Sequence, residues 1–220
     1  MSIFLIRDLK LAQRACQKIF QSLLFFTLFM LMFPLAIGEG KFLKQQIAAT
    51  IWLAVFFTIL LNLEQLFKED QKDGSLDIIL MHTDFIYLTT FVFLKCTAYF
   101  CSYFLPLLFF LLPSSLFLGI GLSNTILLLL SLTIGIFGLI FLGAFSAALN
   151  LCTTRSNLLN LIIILPLATP LLIFGVAASS SLMASPSLAY TSFAFLTAIS
   201  LFLGLCGTIG TALCLMLLLY

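Results

Sequence analysis

The chain has 220 residues, 63% of them hydrophobic and only 8% charged, with 25 Phe and a mean hydropathy of +1.26. Soluble domains carry about 25% charged residues, and no compact fold of this length hides so much apolar surface from water. These figures exclude a soluble enzyme, a disordered chain and a nucleic-acid binder, and they make lipid the solvent. The net charge is only +2, yet the charges are segregated: from Phe85 to Tyr220 only Lys95 and Arg155 are charged, and six of the eight acids lie between Glu64 and Asp84.

In chain order, residues 1–19 come first. At 100° per residue Arg7, Lys10, Arg14 and Lys18 fall on one narrow face, with Leu5, Leu9, Ala12, Cys16 and Phe20 opposite. That pattern is an amphipathic helix lying in the membrane interface, or equally a basic topology signal. Asp8 and the continuation of the apolar run through Pro34, with no cleavage site directly after it, predict a retained anchor rather than a signal peptide.

Six apolar runs follow, at about 20–37, 47–63, 87–112, 125–149, 158–178 and 188–219. A spanning helix needs roughly 20 residues. Backbone groups in lipid must pair internally, and long continuous runs point to helices rather than a barrel. Gly38 and Pro113 end the first and third runs, Pro166 and Pro170 lie inside the fifth, and the sixth is long enough to tilt or break near Gly204, Gly207 and Gly210. The reading is an all-α polytopic membrane protein with six transmembrane helices, forming a single domain over 1–220. Seven basic residues (Arg7, Lys10, Arg14, Lys18, Lys68, Lys72 and Arg155) face Lys41 and Lys44 across the membrane, which places both termini in the cytoplasm and the 113–124 and 179–187 turns outside.

The loop at 64–84, taken with its flanking residues Asn62 and Phe85, is the one sizeable polar island after Gln46, with a net charge of about −4. Glu64 and Lys68 stand i,i+4, Leu63, Leu66 and Phe67 supply an apolar side, Asp73-Gly74-Ser75 reads as a break, and Leu76, Ile79 and Leu80 begin a second amphipathic turn. The expectation is a helical extension, a sharp glycine turn and a second short helix. Three uses fit: a solvated loop, a docking knob for a soluble partner with a basic rim, or a carboxylate metal site, the last against the spacing because Lys68 and Lys72 interrupt it. In the docking reading Glu64, Glu69, Asp70, Asp73 and Asp77 supply charge, Phe67, Leu76 and Ile79 are anchors, and Gly74 shapes the turn. Arg155, in the turn before the fifth run, is a topology anchor or a second contact with the same partner.

Lys95 lies inside the third run, where it snorkels to the interface or serves an interior role. No acid follows Asp84, which argues against an ion-coupled transporter. Ser131, Gly135, Gly143 and Ala147 line one side of the fourth run and allow close helix contact, and Asn150, Asn157 and Asn160 could bond helix ends together. The six cysteines form no C-x-x-C pair and His82 is the only histidine, an incidental residue or at most one axial haem ligand. No G-x-x-x-x-G-K-[ST] phosphate loop is present, so ATP-driven work would need another polypeptide.

On these residues the chain resembles the heme exporter protein B family, the membrane subunit associated with an ABC-type ATPase in cytochrome c maturation. The resemblance covers essentially the whole chain: the basic amphipathic start, the run from Met32 to Gly38, Leu63-Glu64-Gln65-Leu66-Phe67, the stretch from Asp70 to Asp77, and the stretch from Pro166 to Ala178. It implies an ABC-2-type exporter-like fold with an interfacial N-terminal helix and a cytoplasmic coupling helix within 64–84. It implies a soluble ABC ATPase subunit like heme exporter protein A, membrane subunits like heme exporter proteins C and D, and a haem chaperone as an indirect partner. ATP would be bound and hydrolysed by the partner, with hydrolysis coupled to release of the haem-loaded chaperone or to haem handling across the membrane, and no cofactor or catalytic group held by this chain. The location implied is the bacterial inner membrane, with the mitochondrial inner membrane as the eukaryotic counterpart. The competing readings are an ABC-2-type permease for a lipid or other small molecule, and a non-transport scaffold for haem-handling subunits.

Overall fold

A computed structural model describes residues 16–37, 44–63, 66–81, 84–104, 106–107, 109–111, 121–152, 158–184 and 186–218. Its principal elements are α1 (Cys16–Ile37), α2 (Lys44–Leu63), the short α3 (Lys68–Lys72) and α4 (Ser75–Met81), α5 (Phe85–Tyr99), a π-helical turn (Phe100–Phe104), α6 (Leu122–Cys152), α7 (Leu158–Ala184) and α8 (Pro186–Leu217). Among the described residues, four stretches are long and apolar enough to cross a bilayer: Gln46–Leu63, Phe85–Ser102, Asn124–Leu151 and Tyr190–Leu217. Shorter apolar stretches, Phe20–Phe33 and Ile164–Ser180, lie in α1 and α7. The chain is therefore an all-α polytopic membrane protein. The amphipathic segment expected at 1–19 lies outside the described residues except for the start of α1.

Three local expectations change. The third run is not one α-helix to residue 112: α5 stops at Tyr99 and the backbone widens into the π-helical turn. Pro106 supplies the reason, since it has no N–H for the carbonyl one turn earlier, and a wider turn just before it accommodates the missing bond. The fifth run, by contrast, carries Pro166 and Pro170 without interruption and continues to Ala184, so most of the expected 179–187 turn is helix. The Thr169 hydroxyl donates to the Leu165 carbonyl at 2.7 Å and the Ser179 hydroxyl to the Gly175 carbonyl at 2.8 Å, so these side-chain donors are satisfied within the helix itself. The last run does not break at its glycines; α8 is continuous, opening at Pro186, where a missing N–H is harmless.

α8 packs most extensively against α6, then α7, and α6 and α7 pack against each other. Glycine sets how close these helices come. A Cβ on Gly138 would sit 2.9 Å from the Ser200 Cα, and one on Gly207 would sit 2.7 Å from the Phe141 carbonyl oxygen. Contacts that short have no room for a methyl group, so these residues bring backbone onto backbone. The expected small-residue face of α6 is buried as read: Ser131 and Ala147 are buried, and Gly143 receives the Leu63 side chain of α2. α2 leans on α6 and α7, and α1 lies outside α2 with the rings of Phe29 and Phe57 6.1 Å apart. α5 packs mainly against α8 and reaches α6 through rings, with Phe93 stacked on Phe141 at 5.6 Å and Phe100 edge-on to Phe137 at 6.2 Å.

Candidate functional site

The polar island folds as a hairpin. After Leu63 the Leu66 amide donates to the Leu63 carbonyl at 3.0 Å, α3 runs one turn, and the chain reverses at Gly74. Gly74 has φ +69°, a left-handed conformation that costs an L-residue roughly 1–2 kcal/mol, which is why glycine stands there. The Ser75 hydroxyl closes the turn by reaching the Asp70 carbonyl at 3.3 Å and its carboxylate at 3.5 Å. The expected helix, glycine break and second short helix are all present.

The apolar side chains of the hairpin turn inward. Phe67 and Leu76 are essentially fully buried, and Leu66, Ile79 and Leu80 join the same core. Phe67, Leu76 and Ile79 are thus occupied as anchors of the hairpin on its own bundle. Asp70 is buried too. Gln71, Lys72, Asp73 and Ile78 are exposed, Ile78 at 66%. Glu69 and Asp77 lie on α3 and α4, but their side chains, together with Glu64, His82 and Arg155, fall outside the described residues, as do the side chains of Arg7, Lys10, Arg14 and Lys18.

Lys95 explains the burial of Asp70. Its ammonium forms an ion pair with the Asp70 carboxylate, and both side chains are about nine-tenths buried. The same ammonium lies 5.4 Å from the centre of the Phe67 ring and 5.7 Å from that of Phe91, within cation–π range. Lys95 therefore does not snorkel to water. It stands about 15 Å along α5 from Phe85, at 1.5 Å per residue, so the hairpin lies against the side of that helix. A lone charge in a span costs roughly 3 kcal/mol or more, and pairing removes much of that penalty. The six acids of the island were visible in the sequence; which one would meet Lys95 was not, because the choice depends on where Gly74 turns the chain.

A second buried polar group escaped the sequence reading. The Trp52 indole N–H donates to the Ser179 hydroxyl at 2.8 Å, and the Ser179 and Ser131 hydroxyls lie 2.8 Å apart. These links join α2, α7 and α6, with all three residues almost completely buried. The Trp52 ring enters a slot whose walls are Gly135 and Gly175; a Cβ on either would sit 2.2 Å or 2.5 Å from ring carbons. The signal was present in the sequence: the only tryptophan lies inside a span, and an indole N–H in lipid requires an acceptor. Asn150, expected to bond helix ends together, keeps its buried amide nitrogen without a hydrogen-bond partner among the described residues. A half-open cavity of about 30 Å³, lined by Ser22, Thr58, Asn62 and Tyr99 and by apolar groups, has room for about two waters. Among the described residues, no three of His, Cys, Asp and Glu gather in a metal-binding arrangement.

Long apolar helices joined by glycine contacts, with one polar hairpin docked on them, define a multi-pass integral membrane protein in which no reactive centre is assembled among the described residues. The family model described as CcmB protein matches residues 1–217, and the chain belongs to that family. It is 33% identical over 202 residues to heme exporter protein B of Bradyrhizobium diazoefficiens, covering 91% of this chain and 90% of the relative. It is 35% identical over 190 residues to heme exporter protein B of Pseudomonas aeruginosa (84% and 83% covered) and 36% identical over 172 residues to that of Escherichia coli K12 (78% and 77% covered).

Proposed function

We propose that the chain is the membrane subunit of an ATP-driven ABC-type complex for haem export in cytochrome c maturation, set in the bacterial inner membrane. The carrying observation is the family match from residue 1 to 217, together with near full-length relatives named for haem export. The chain contributes no catalytic step. ATP is hydrolysed by a separate soluble subunit like heme exporter protein A, and membrane subunits like heme exporter proteins C and D complete the assembly.

Six spans cross the membrane, with both termini in the cytoplasm. The lengths of α1 and α7, 22 and 27 residues, support the first and fifth spans, since a helix of about 20 residues covers the hydrocarbon core. The seven-to-two distribution of Lys and Arg supports the orientation. The hairpin at 64–84 then faces the ATPase and acts as its coupling element, with Gln71, Lys72, Asp73 and Ile78 as the exposed contact surface and Arg155 as a second contact. Closure of the ATPase on ATP moves the hairpin, and the hairpin moves the spans.

Affinity purification from native membranes, with subunit identification and an absorption spectrum, tests this reading. An ATPase and haem-handling subunits are expected in the eluate. Recovery of an ATPase without them would favour the lipid or small-molecule permease, and recovery of the haem-handling subunits without an ATPase would favour the scaffold.

A further inference from the structure

We infer that the Asp70–Lys95 pair is the tie through which the hairpin pulls on α5, and that the π-helical turn at Phe100–Phe104 is where α5 yields. The inference rests on the proposed role of the hairpin as coupling element and adds the residues that transmit its motion. Three observations carry it. The ion pair is buried and joins the hairpin to the third turn of α5. Its immediate surroundings are apolar rings, with the Lys95 ammonium 5.4 Å from the centre of Phe67 and 5.7 Å from that of Phe91. The π-helical turn begins five residues after Lys95, and wide turns of this kind mark places where a helix gives way.

The physical reason lies in the solvent. In lipid, two apolar surfaces drawn apart are covered by acyl chains of equal apolarity, so apolar packing resists a push but holds weakly against a pull. Two opposite charges separated in a medium of low dielectric lose an attraction that no acyl chain replaces. A charge pair therefore transmits displacement in both directions. α5 and the turn that follows it meet α6 through rings: Phe93 stacks on Phe141 at 5.6 Å, and Phe100, itself stacked on Phe104 at 4.7 Å, meets Phe137 edge-on at 6.2 Å, contacts that slide more readily than interlocked backbones. Asp70 and Lys95 are positioning residues, since neither is required to touch what the complex transports.

The test uses the full complex in nanodiscs, with three readouts: co-purification of the ATPase, ATP hydrolysis, and holocytochrome c formed in cells carrying each variant. The apolar pair D70L/K95M keeps the packing and removes the charges. Replacing a buried ion pair by apolar groups is commonly neutral or stabilising, so this variant is expected to fold, bind the ATPase and support hydrolysis, yet lose most of its holocytochrome output. The swap D70K/K95D is expected to recover output. Wild-type output from D70L/K95M, or none from a folded swap, overturns the tie. Spin labels at Asp73 and Ile86, both exposed, in a chain whose native cysteines are replaced by serine, leave the buried pair itself intact. Their separation is expected to stay fixed on ATP binding while that between Ile86 and Ile173 changes; a change confined to the first pair also overturns the inference. Failure of the underlying reading shows separately, as a wild-type eluate lacking the ATPase.

Discussion

Gly135→Ala tests the packing of the bundle at one of its tightest points. The new methyl carbon would stand 2.2 Å from the tip of the Trp52 ring, whereas nonbonded carbons rest at about 3.5 Å, so something must give by about 1.3 Å. Gly175 closes the other wall of the slot, so the ring retreats toward α2. A shift of that size stretches the 2.8 Å bond from the Trp52 indole to Ser179 past the limit of roughly 3.5 Å. Overpacking costs about 1–3 kcal/mol and the lost interhelical bond about 1 kcal/mol, while the better helix propensity of alanine returns about 1 kcal/mol. The net loss is then about 1–3 kcal/mol, a fall in melting temperature of roughly 2–12 °C for a chain of this length. Trp52 is the only tryptophan, so its emission in detergent reports on this slot alone, and a red shift should accompany the fall in thermal stability. Gly204→Ala is the matched control, because its methyl carbon would meet Phe137 at an ordinary 3.5 Å. A Gly135→Ala variant with the emission and melting temperature of wild type would refute the packing argument.

Ser179→Ala should lower stability by about 1–2 kcal/mol and shift the Trp52 emission without adding bulk, because the bonds to Trp52 and Ser131 both end on that hydroxyl. Gly74→Ala should cost about 1 kcal/mol, through its positive φ, and expose the hairpin to trypsin at Lys72 in inverted vesicles; Gly74→Asn, better tolerated in the left-handed region, should be milder. Asp73→Lys combined with Ile78→Glu should weaken recovery of the ATPase at an unchanged melting temperature, since both side chains are exposed; undiminished recovery would remove them from the contact. Charge reversal of the cluster Glu69, Asp70 and Asp73 is a poorer probe, because reversing Asp70 buries two cations together and should lower the melting temperature whatever docks outside.

The spans were legible because lipid leaves the sequence little choice: a run such as Gln46–Leu63 has to be helical to satisfy its backbone. The hairpin was legible for a different reason, since Gly74 punctuates two short amphipathic turns and punctuation is local. What was not legible is which face meets which. Phe67, Leu76 and Ile79 have the same spacing whether they dock a partner or the protein's own core, and they are buried in that core, with Asp70 beside Lys95. Gly207 belongs to the glycine trio of the last run, whose spacing allows close helix contact, whereas nothing in the sequence marks Gly138; which backbones they meet appears only when Phe141 and Ser200 arrive opposite them. The π-helical turn had a signal in Pro106, set where an uninterrupted helix would lose a bond; the opposite behaviour of Pro166 and Pro170 shows that proline alone does not decide the outcome.

The two buried polar groups divide the bundle by mechanical character. Trp52, Ser131 and Ser179 join three helices whose backbones or rings already interlock at glycines, so the hydrogen bonds fix a register that shape has narrowed. Asp70 and Lys95 join elements with no such interlock: the hairpin is short, and α5 rests on Phe rings rather than on glycine grooves. Removing a hydroxyl from the first group loosens a fit, whereas removing one charge from the second strands the other in a low-dielectric interior. The element most dependent on a single electrostatic contact is thus the one beside the exposed hairpin, the surface proposed above to meet the ATPase. A subunit that transmits work needs this asymmetry, with a body that holds its shape and one attached part that can be drawn without dissolving its contacts into the lipid.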